Sequence, residues 1–326
     1  MIHAILAGAL SLAIQADMAQ AQTDTRADFD IEVLAETLES RDFNYPYPVE
    51  VLDLPTAPNG IDYRLYIRPP LRDPAEGEQS SSIYLLDARQ LFTPAASMTY
   101  NQEYFDFIPS SYFIGIGYQE DGADSFDEYD RTRDYTPTAF TPDENHFLYN
   151  SRQDWEGSGG AEAFFDFFET VIIPLVETRY DVSPSDRALV GKSTSGLGAT
   201  YALLERPGMF NRYVIISPAL WWDDWLLPRH ERWVMRAEAA TRDTEYPVET
   251  RVYLAAGEAE HTFGLATDVF VLFDALRSRR NDNLRLNAEL LPGEQHESAF
   301  PAALMRGLAG VYSDRRESAS PFEWGD

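Results

Sequence analysis

The residues whose types and spacing could do chemistry lie in one short stretch, Gly191-Lys192-Ser193-Thr194-Ser195-Gly196-Leu197-Gly198. A brief apolar run, Ala188-Leu189-Val190, leads into it, and a helix-compatible segment follows at once. Strand, very tight turn and helix in that order lift a serine hydroxyl clear of the sheet, where a nucleophile has to stand. The pattern of such an elbow is G-x-S-x-G, and here it reads Gly191-x-Ser193-x-Ser195. Glycine serves there because the turn is strained and strand and helix pass too close for a Cβ; serine is among the smallest substitutes. The alternative for the same residues is an ordinary helix N-terminus capped by Ser193 or Thr194. A phosphate loop is excluded, because Asp186 stands where G-x-x-x-x-G-K-[ST] needs its first glycine and Leu189-Val190 runs straight into Gly191.

A serine hydroxyl attacks poorly until an imidazole takes its proton, and the imidazole needs a carboxylate to orient it. In α/β-hydrolases, whose nucleophile stands on such an elbow, the acid and then the base follow the serine in the chain, each after a later strand. The chain has five histidines. His296 sits in Leu291-Pro292-Gly293-Glu294-Gln295-His296-Glu297, between the last strand and the last helix, which suits the base. His3 is N-terminal, while His146 and His230 lie in connecting regions. The acid is expected in Gly257-Glu258-Ala259-Glu260-His261, with Glu260 the choice and Glu258 the reserve. His261 is a rival base, but it adjoins the candidate acid on one loop. In so acidic a chain, the alternative is that these carboxylates and His296 are surface groups. An oxyanion would be held by the backbone N–H of Thr194 and by that of Ala88 or Arg89 in the loop after Leu86.

The elements that must carry these residues are readable as short apolar runs and helical periodicities. Val49–Leu54 and Tyr63–Ile67 alternate as an antiparallel hairpin around Pro55, Pro58, Asn59 and Gly60. Strands follow at Ile83–Leu86, Tyr112–Gly117, Ala188–Val190, Tyr213–Ile216, Val252–Ala255 and Leu284–Leu291. Helical patterns occupy Ala161–Tyr180, Gly196–Glu205, Leu265–Ser278 and Ser298–Tyr312. This alternation predicts an α/β fold, a mostly parallel sheet with helices on both faces and the antiparallel hairpin at one edge.

Composition bounds what such a fold could serve. The 326 residues carry 26 Lys+Arg against 54 Asp+Glu, a formal charge of −28. That field repels nucleic acid and anionic membranes. The absence of cysteine removes disulfides, thiolate metal sites and a cysteine nucleophile. Residues 1–21 read as a cleaved export signal, an apolar stretch ending in Ala19-Gln20-Ala21, which predicts a periplasmic or secreted protein without stable membrane insertion. Residues 22–44 form a polar linker, 45–313 one domain and 314–326 a polar tail.

Beyond the serine triplet, several segments resemble the esterase family of α/β-hydrolases that includes enterochelin esterase-like, ferric-siderophore-esterase-like and esterase D-like proteins. They are Tyr84-Leu85-Leu86-Asp87 with Leu91-Phe92, Gly115-Ile116-Gly117-Tyr118, Arg131-x-x-Asp134-Tyr135-Thr136-Pro137, Gly159-Gly160-Ala161, and Phe210-x-x-Tyr213 with Ser217-Pro218-Ala219-Leu220-Trp221-Trp222. The resemblance implies ester hydrolysis of a small molecule through an acyl-enzyme, with Ser193 as nucleophile, His296 as base and a carboxylate near Glu260, and with no cofactor or metal. The chain departs from the family's pattern at Lys192, Ser195 and Ala88, where histidine, glycine and glycine are usual. Lys192 could favour an anionic ester or be a solvated side chain. Arg131 and Arg133 could meet a substrate carboxylate or catecholate, or pair with Asp130 or Asp134. Trp221 and Trp222 could line an acyl pocket or be core. A siderophore-ester hydrolase and a catalytically silent binding protein on the same fold are the alternative functions.

Overall fold

The computed structural model describes residues 47–119, 128–140, 157–222 and 246–315. The expected export signal, the linker, His3, His146, His230 and the end of the tail lie outside the described residues. Within them the chain forms an eight-stranded sheet in the order β1-β2-β4-β3-β5-β6-β7-β8. The strands are β1 (Glu50–Asp53), β2 (Tyr63–Arg68), β3 (Ser80–Leu85), β4 (Ser111–Tyr118), β5 (Val182–Lys192), β6 (Arg212–Ile216), β7 (Thr250–Gly257) and β8 (Leu284–Leu291). β1 and β2 pair antiparallel, β2 joins β4 antiparallel, and every pair from β4 through to β8 is parallel. Parallel pairing brings the carboxyl ends of β3, β5, β6, β7 and β8 to one edge of the sheet.

Helices cover both faces. α1 (Ala88–Tyr104) and α7 (Ala299–Val311) pack on one face, with Phe92, Ala95, Phe300 and Leu304 buried against Ile83, Val190 and Val214. On the other lie α2 (Glu128–Tyr135), α3 (Ala161–Phe167), α4 (Ile173–Arg179), α5 (Thr194–Glu205) and α6 (Leu265–Ser278). Phe164 meets Tyr135 edge-on there, Phe168 meets Tyr84 and Phe210 edge-on, and Phe165 stacks on Phe168. No helix among the described residues is long and apolar enough to cross a membrane.

The structure differs from the sequence expectation in three places. The segment after Leu86, read as a loop, is the helix α1. It buries alanines and the polar Thr99, Gln102 and Glu103 and contains Pro94, so it carries little apolar periodicity. The expected helix 161–180 is interrupted by a wide π turn at Phe168–Ile172. That turn precedes Pro174, whose missing N–H cannot continue the regular ladder. The polar tail begins with a structural residue, since Asp314 accepts hydrogen bonds from both terminal nitrogens of Arg212 at 2.8 and 3.1 Å.

α2 is short but firmly anchored. Buried Asp134 accepts hydrogen bonds from Tyr63 Oη at 2.8 Å, Tyr118 Oη at 3.0 Å and Arg133 Nε at 2.7 Å. α2 lies close to α5 because Gly198 presents no side chain; a Cβ there would come within 3.1 Å of Tyr135. Asp134→Ala is expected to lower the unfolding free energy by about 3 kcal/mol, the cost of breaking a buried ion pair from one side. Urea denaturation measures this, and a loss below about 1 kcal/mol would place the anchor of α2 elsewhere.

Candidate active site

β5 ends at Lys192 and α5 begins at Thr194, so Ser193 alone makes the turn. Its backbone sits at φ 60°, ψ −119°, a conformation that costs a non-glycine residue free energy and is held by its surroundings. Ser193 N–H donates to Ile216 O at 3.0 Å, and Ser193 O accepts from Leu197 and Ala219 N–H, each at 3.0 Å. The closest approach in the elbow is at Gly191, where a Cβ would lie 2.2 Å from Ser195 O. Ser195, at the position where glycine is usual, fits without crowding. Its Oγ accepts from Lys192 N–H and donates to Lys192 O, both at 2.9 Å, and so closes the turn.

The carboxyl ends of β7 and β8 bring Glu260 and His296 together. Glu260 is 2% exposed, and its Oε2 lies 2.8 Å from His296 Nδ1. Its Oε1 accepts from Ser217 Oγ and from Gly257 N–H, both at 2.7 Å. Burial alone would raise this carboxyl's pKa, but the hydrogen bonds from His296, Ser217 and Gly257 outweigh it and hold the pKa below the usual glutamate value. An ionised carboxylate can only accept, so Nδ1 carries the proton and Nε2 is left as the basic nitrogen. Glu258 points elsewhere, accepting from Gly293 N–H at 2.9 Å. Ala259 N–H donates to Glu294 O at 3.0 Å, so the two loops are stitched together at several points. His261 Nδ1 faces its own loop at Glu258 O, 3.3 Å away.

β3 is the neighbour of β5, with Leu85 opposite Val190, so Asp87 and Ala88 stand beside the elbow. Ala88 and Thr194 are the first residues of α1 and α5, positions whose N–H groups have no partner within the helix. Asp87 holds φ 57° and is gripped by Arg131, whose Nε and Nη2 donate to its two oxygens at 3.0 and 2.8 Å. Asp87 N–H in turn donates to Tyr135 Oη at 3.3 Å. The methyl of Ala88 fits because β4 offers Gly115 opposite it; a Cβ on Gly115 would come within 2.8 Å.

Two side chains, Arg131 and Lys192, behave differently from the expectation, while Arg133 and Trp222 each follow one of the alternatives given for them. Arg131 pairs with Asp87, while Arg133 takes Asp130 and Asp134. Lys192 is neither solvated nor open to a ligand: it is 6% exposed and its Nζ lies 2.6 Å from Glu297. Trp222 is core, donating Nε1–H to Thr138 O at 3.0 Å, and Trp221 is half-buried beside it. Sequence reasoning missed Ser217, whose hydroxyl bonds to Glu260. Its signal was a small polar residue directly after β6, one strand from the nucleophile.

The family model described as "Putative esterase" matches residues 60–310. The ferri-bacillibactin esterase BesA of Bacillus subtilis is 28% identical over 258 residues, covering 76% of this chain and 83% of its own. The siderophore triacetylfusarinine C esterase of Aspergillus fumigatus is 28% identical over 256 residues, 71% of this chain and 81% of its own. The crystal structure of the BES protein from Bacillus cereus superposes with a TM-score of 0.69 at 24% identity, over 84% of this chain and 99% of that one.

A group whose folded pKa is depressed stabilises the fold above its unfolded pKa and loses that contribution as pH falls through the folded value. Ser217→Ala removes one of the bonds that depress Glu260, which moves its folded pKa upward. The variant is therefore expected to begin acid unfolding at higher pH than the parent, followed by circular dichroism. An unchanged acid midpoint would contradict the part given to Ser217.

Proposed function

This chain belongs to the esterase family of α/β-hydrolases and is an ester-cleaving enzyme, and from that premise we propose that Ser193, His296 and Glu260 do the cleaving. The observation that carries this reading is the buried Glu260 carboxylate bonded to His296 Nδ1 at 2.8 Å, on the strand edge where Ser193 stands in a strained turn. Ser193 Oγ attacks the ester carbonyl while His296 Nε2 takes its proton. The oxyanion that forms is held by the N–H groups of Thr194 and Ala88. The imidazolium, kept in orientation by Glu260, then returns the proton to the leaving alcohol, and the acyl-enzyme remains. Water, deprotonated by the same nitrogen, releases the acid. Trp221 and Arg131 border the substrate in this reading, and the expected export would place the reaction outside the cytoplasm.

A second reading narrows the substrate to siderophore esters, cyclic trilactones among them. It is favoured by relatives named for ferri-bacillibactin and triacetylfusarinine C esterase activity.

Ser193→Ala is expected to lose p-nitrophenyl butyrate hydrolysis by roughly 10³-fold or more and to abolish fluorophosphonate labelling. Glu260→Gln should fall by roughly 10³-fold and Glu258→Gln far less; the opposite ranking would move the acid to Glu258. For the narrower reading, kcat/KM on a catecholate trilactone should exceed that on simple esters by about 10²-fold, a ratio that needs specific polar contacts. Equal values would leave a general esterase.

A further inference from the structure

Lys192 and Glu297 are 105 positions apart and meet at 2.6 Å. One is the immediate neighbour of Ser193 and the other of His296. We propose that Lys192 and Glu297 are a positioning pair, which holds the His296 loop against the Ser193 elbow and keeps the charge beside the imidazole balanced. The proposal rests on the reading of Ser193 and His296 given above and deepens it.

The two ends of the pair are unlike. The Lys192 side chain is 8% exposed and that of Glu297 86% exposed. A buried ammonium needs a counter-charge, so the lysine favours any arrangement that brings the loop's carboxylate to it. Partial desolvation where it meets Lys192 opposes ionisation of Glu297, but the hydrogen bond from Lys192, with lesser attractions to His296 and Arg131, holds its pKa below the usual value. Glu297 therefore lies within the field of two cations on other elements, Lys192 at the end of β5 and Arg131 on α2. Arg131 is itself bound to Asp87, beside the proposed oxyanion donor Ala88. One carboxylate on the base loop thus relates to the nucleophile's strand and, through Arg131, to the oxyanion loop.

The ties already described fix other parts of the loop. Glu258 holds Gly293, Ala259 holds Glu294 and Glu260 holds the ring of His296. All three come from the β7 side and fix the loop relative to the acid. Lys192 approaches from the β5 side, and its bond fixes the loop relative to the nucleophile. Proton transfer from Ser193 is sensitive to that second distance, and a misplacement of about 1 Å costs roughly 10²-fold in rate.

His296 meets Glu260 from the β7 loop and Glu297 beside it, Glu258 and Glu294 belong to the stitched loops, and Glu297 in turn faces Lys192 from β5 and Arg131 from α2. Removing the lysine leaves the Glu297 carboxylate unbalanced beside the imidazole and favours imidazolium. Removing the carboxylate leaves the ammonium and disfavours it. Only neutral imidazole can take the serine's proton. The acidic limb of the kcat/KM profile should therefore move to higher pH in Lys192→Met and to lower pH in Glu297→Gln.

The test measures kcat, KM and the pH profile of p-nitrophenyl butyrate hydrolysis for the parent, Lys192→Met, Glu297→Gln, the double variant and Lys192→Arg. Each single variant is expected to lose about 10-fold or more in kcat with KM changed less than about threefold. The limbs should move in opposite directions, the double variant should be less impaired than the product of the singles, and Lys192→Arg should recover much of the rate. Multiplicative losses with unmoved limbs, or parental kcat in Glu297→Gln, would overturn the pair. If Lys192→Met does not fold, Glu297→Gln decides alone, since its carboxylate is largely exposed. Ser193→Ala, run beside them, separates the two levels: turnover surviving in it removes the reading of the site. A dead Ser193→Ala with parental pair variants removes only this proposal.

Discussion

The carboxylate of Glu260 is the point on which the edge of the sheet depends. It is taken almost wholly out of water, a step that costs a charged group dearly unless hydrogen bonds replace the lost solvent. They come from separate directions: Ser217 after β6, Gly257 at the end of β7 and His296 after β8. Each oxygen has a separate task. Oε1 fastens the acid to the scaffold and Oε2 faces the histidine, so the ring is oriented by a group that cannot itself turn. Gly257 permits this closeness, since a Cβ there would come within 2.4 Å of Glu294 O and 2.9 Å of Glu260 Oε1.

Backbone strain gathers at the same edge. Asp87, Ser193 and Ser217 all hold positive φ without being glycine, and they follow β3, β5 and β6. Each turn is over-determined by the packed sheet beneath it and by its own side-chain bonds, such as Arg131 on Asp87 and Glu260 on Ser217. The fold thus uses the rigidity of its parallel strands to keep three unfavourable turns side by side.

Much of this was legible because strand order constrains it. Alternating apolar runs and helices were enough for the sheet and its edge hairpin, and β8 was read at its full length, Leu284–Leu291. Position after a strand singled out Glu260 and His296, which lie in contact. What could not be read were pairings between distant residues of opposite charge. In a chain with 54 acidic residues, nothing in the sequence marks Glu297 as the partner of Lys192, or Asp87 as that of Arg131. The helix α1 escaped for a different reason. Its buried face is made largely of its own alanines and of Thr99, Gln102 and Glu103, the last paired with Arg68, so the face that packs is not the face that looks apolar.

The sheet order also has a consequence in time. Among the described residues β8 is an edge strand, paired only with β7, and the last strand in chain order. On a ribosome the β5 elbow emerges about a hundred residues before His296, a delay of several seconds at ordinary elongation rates. A nascent chain that has just released the β5 elbow therefore holds neither Glu260 nor His296. The bond between Glu260 and His296 can form only after β8 has been made.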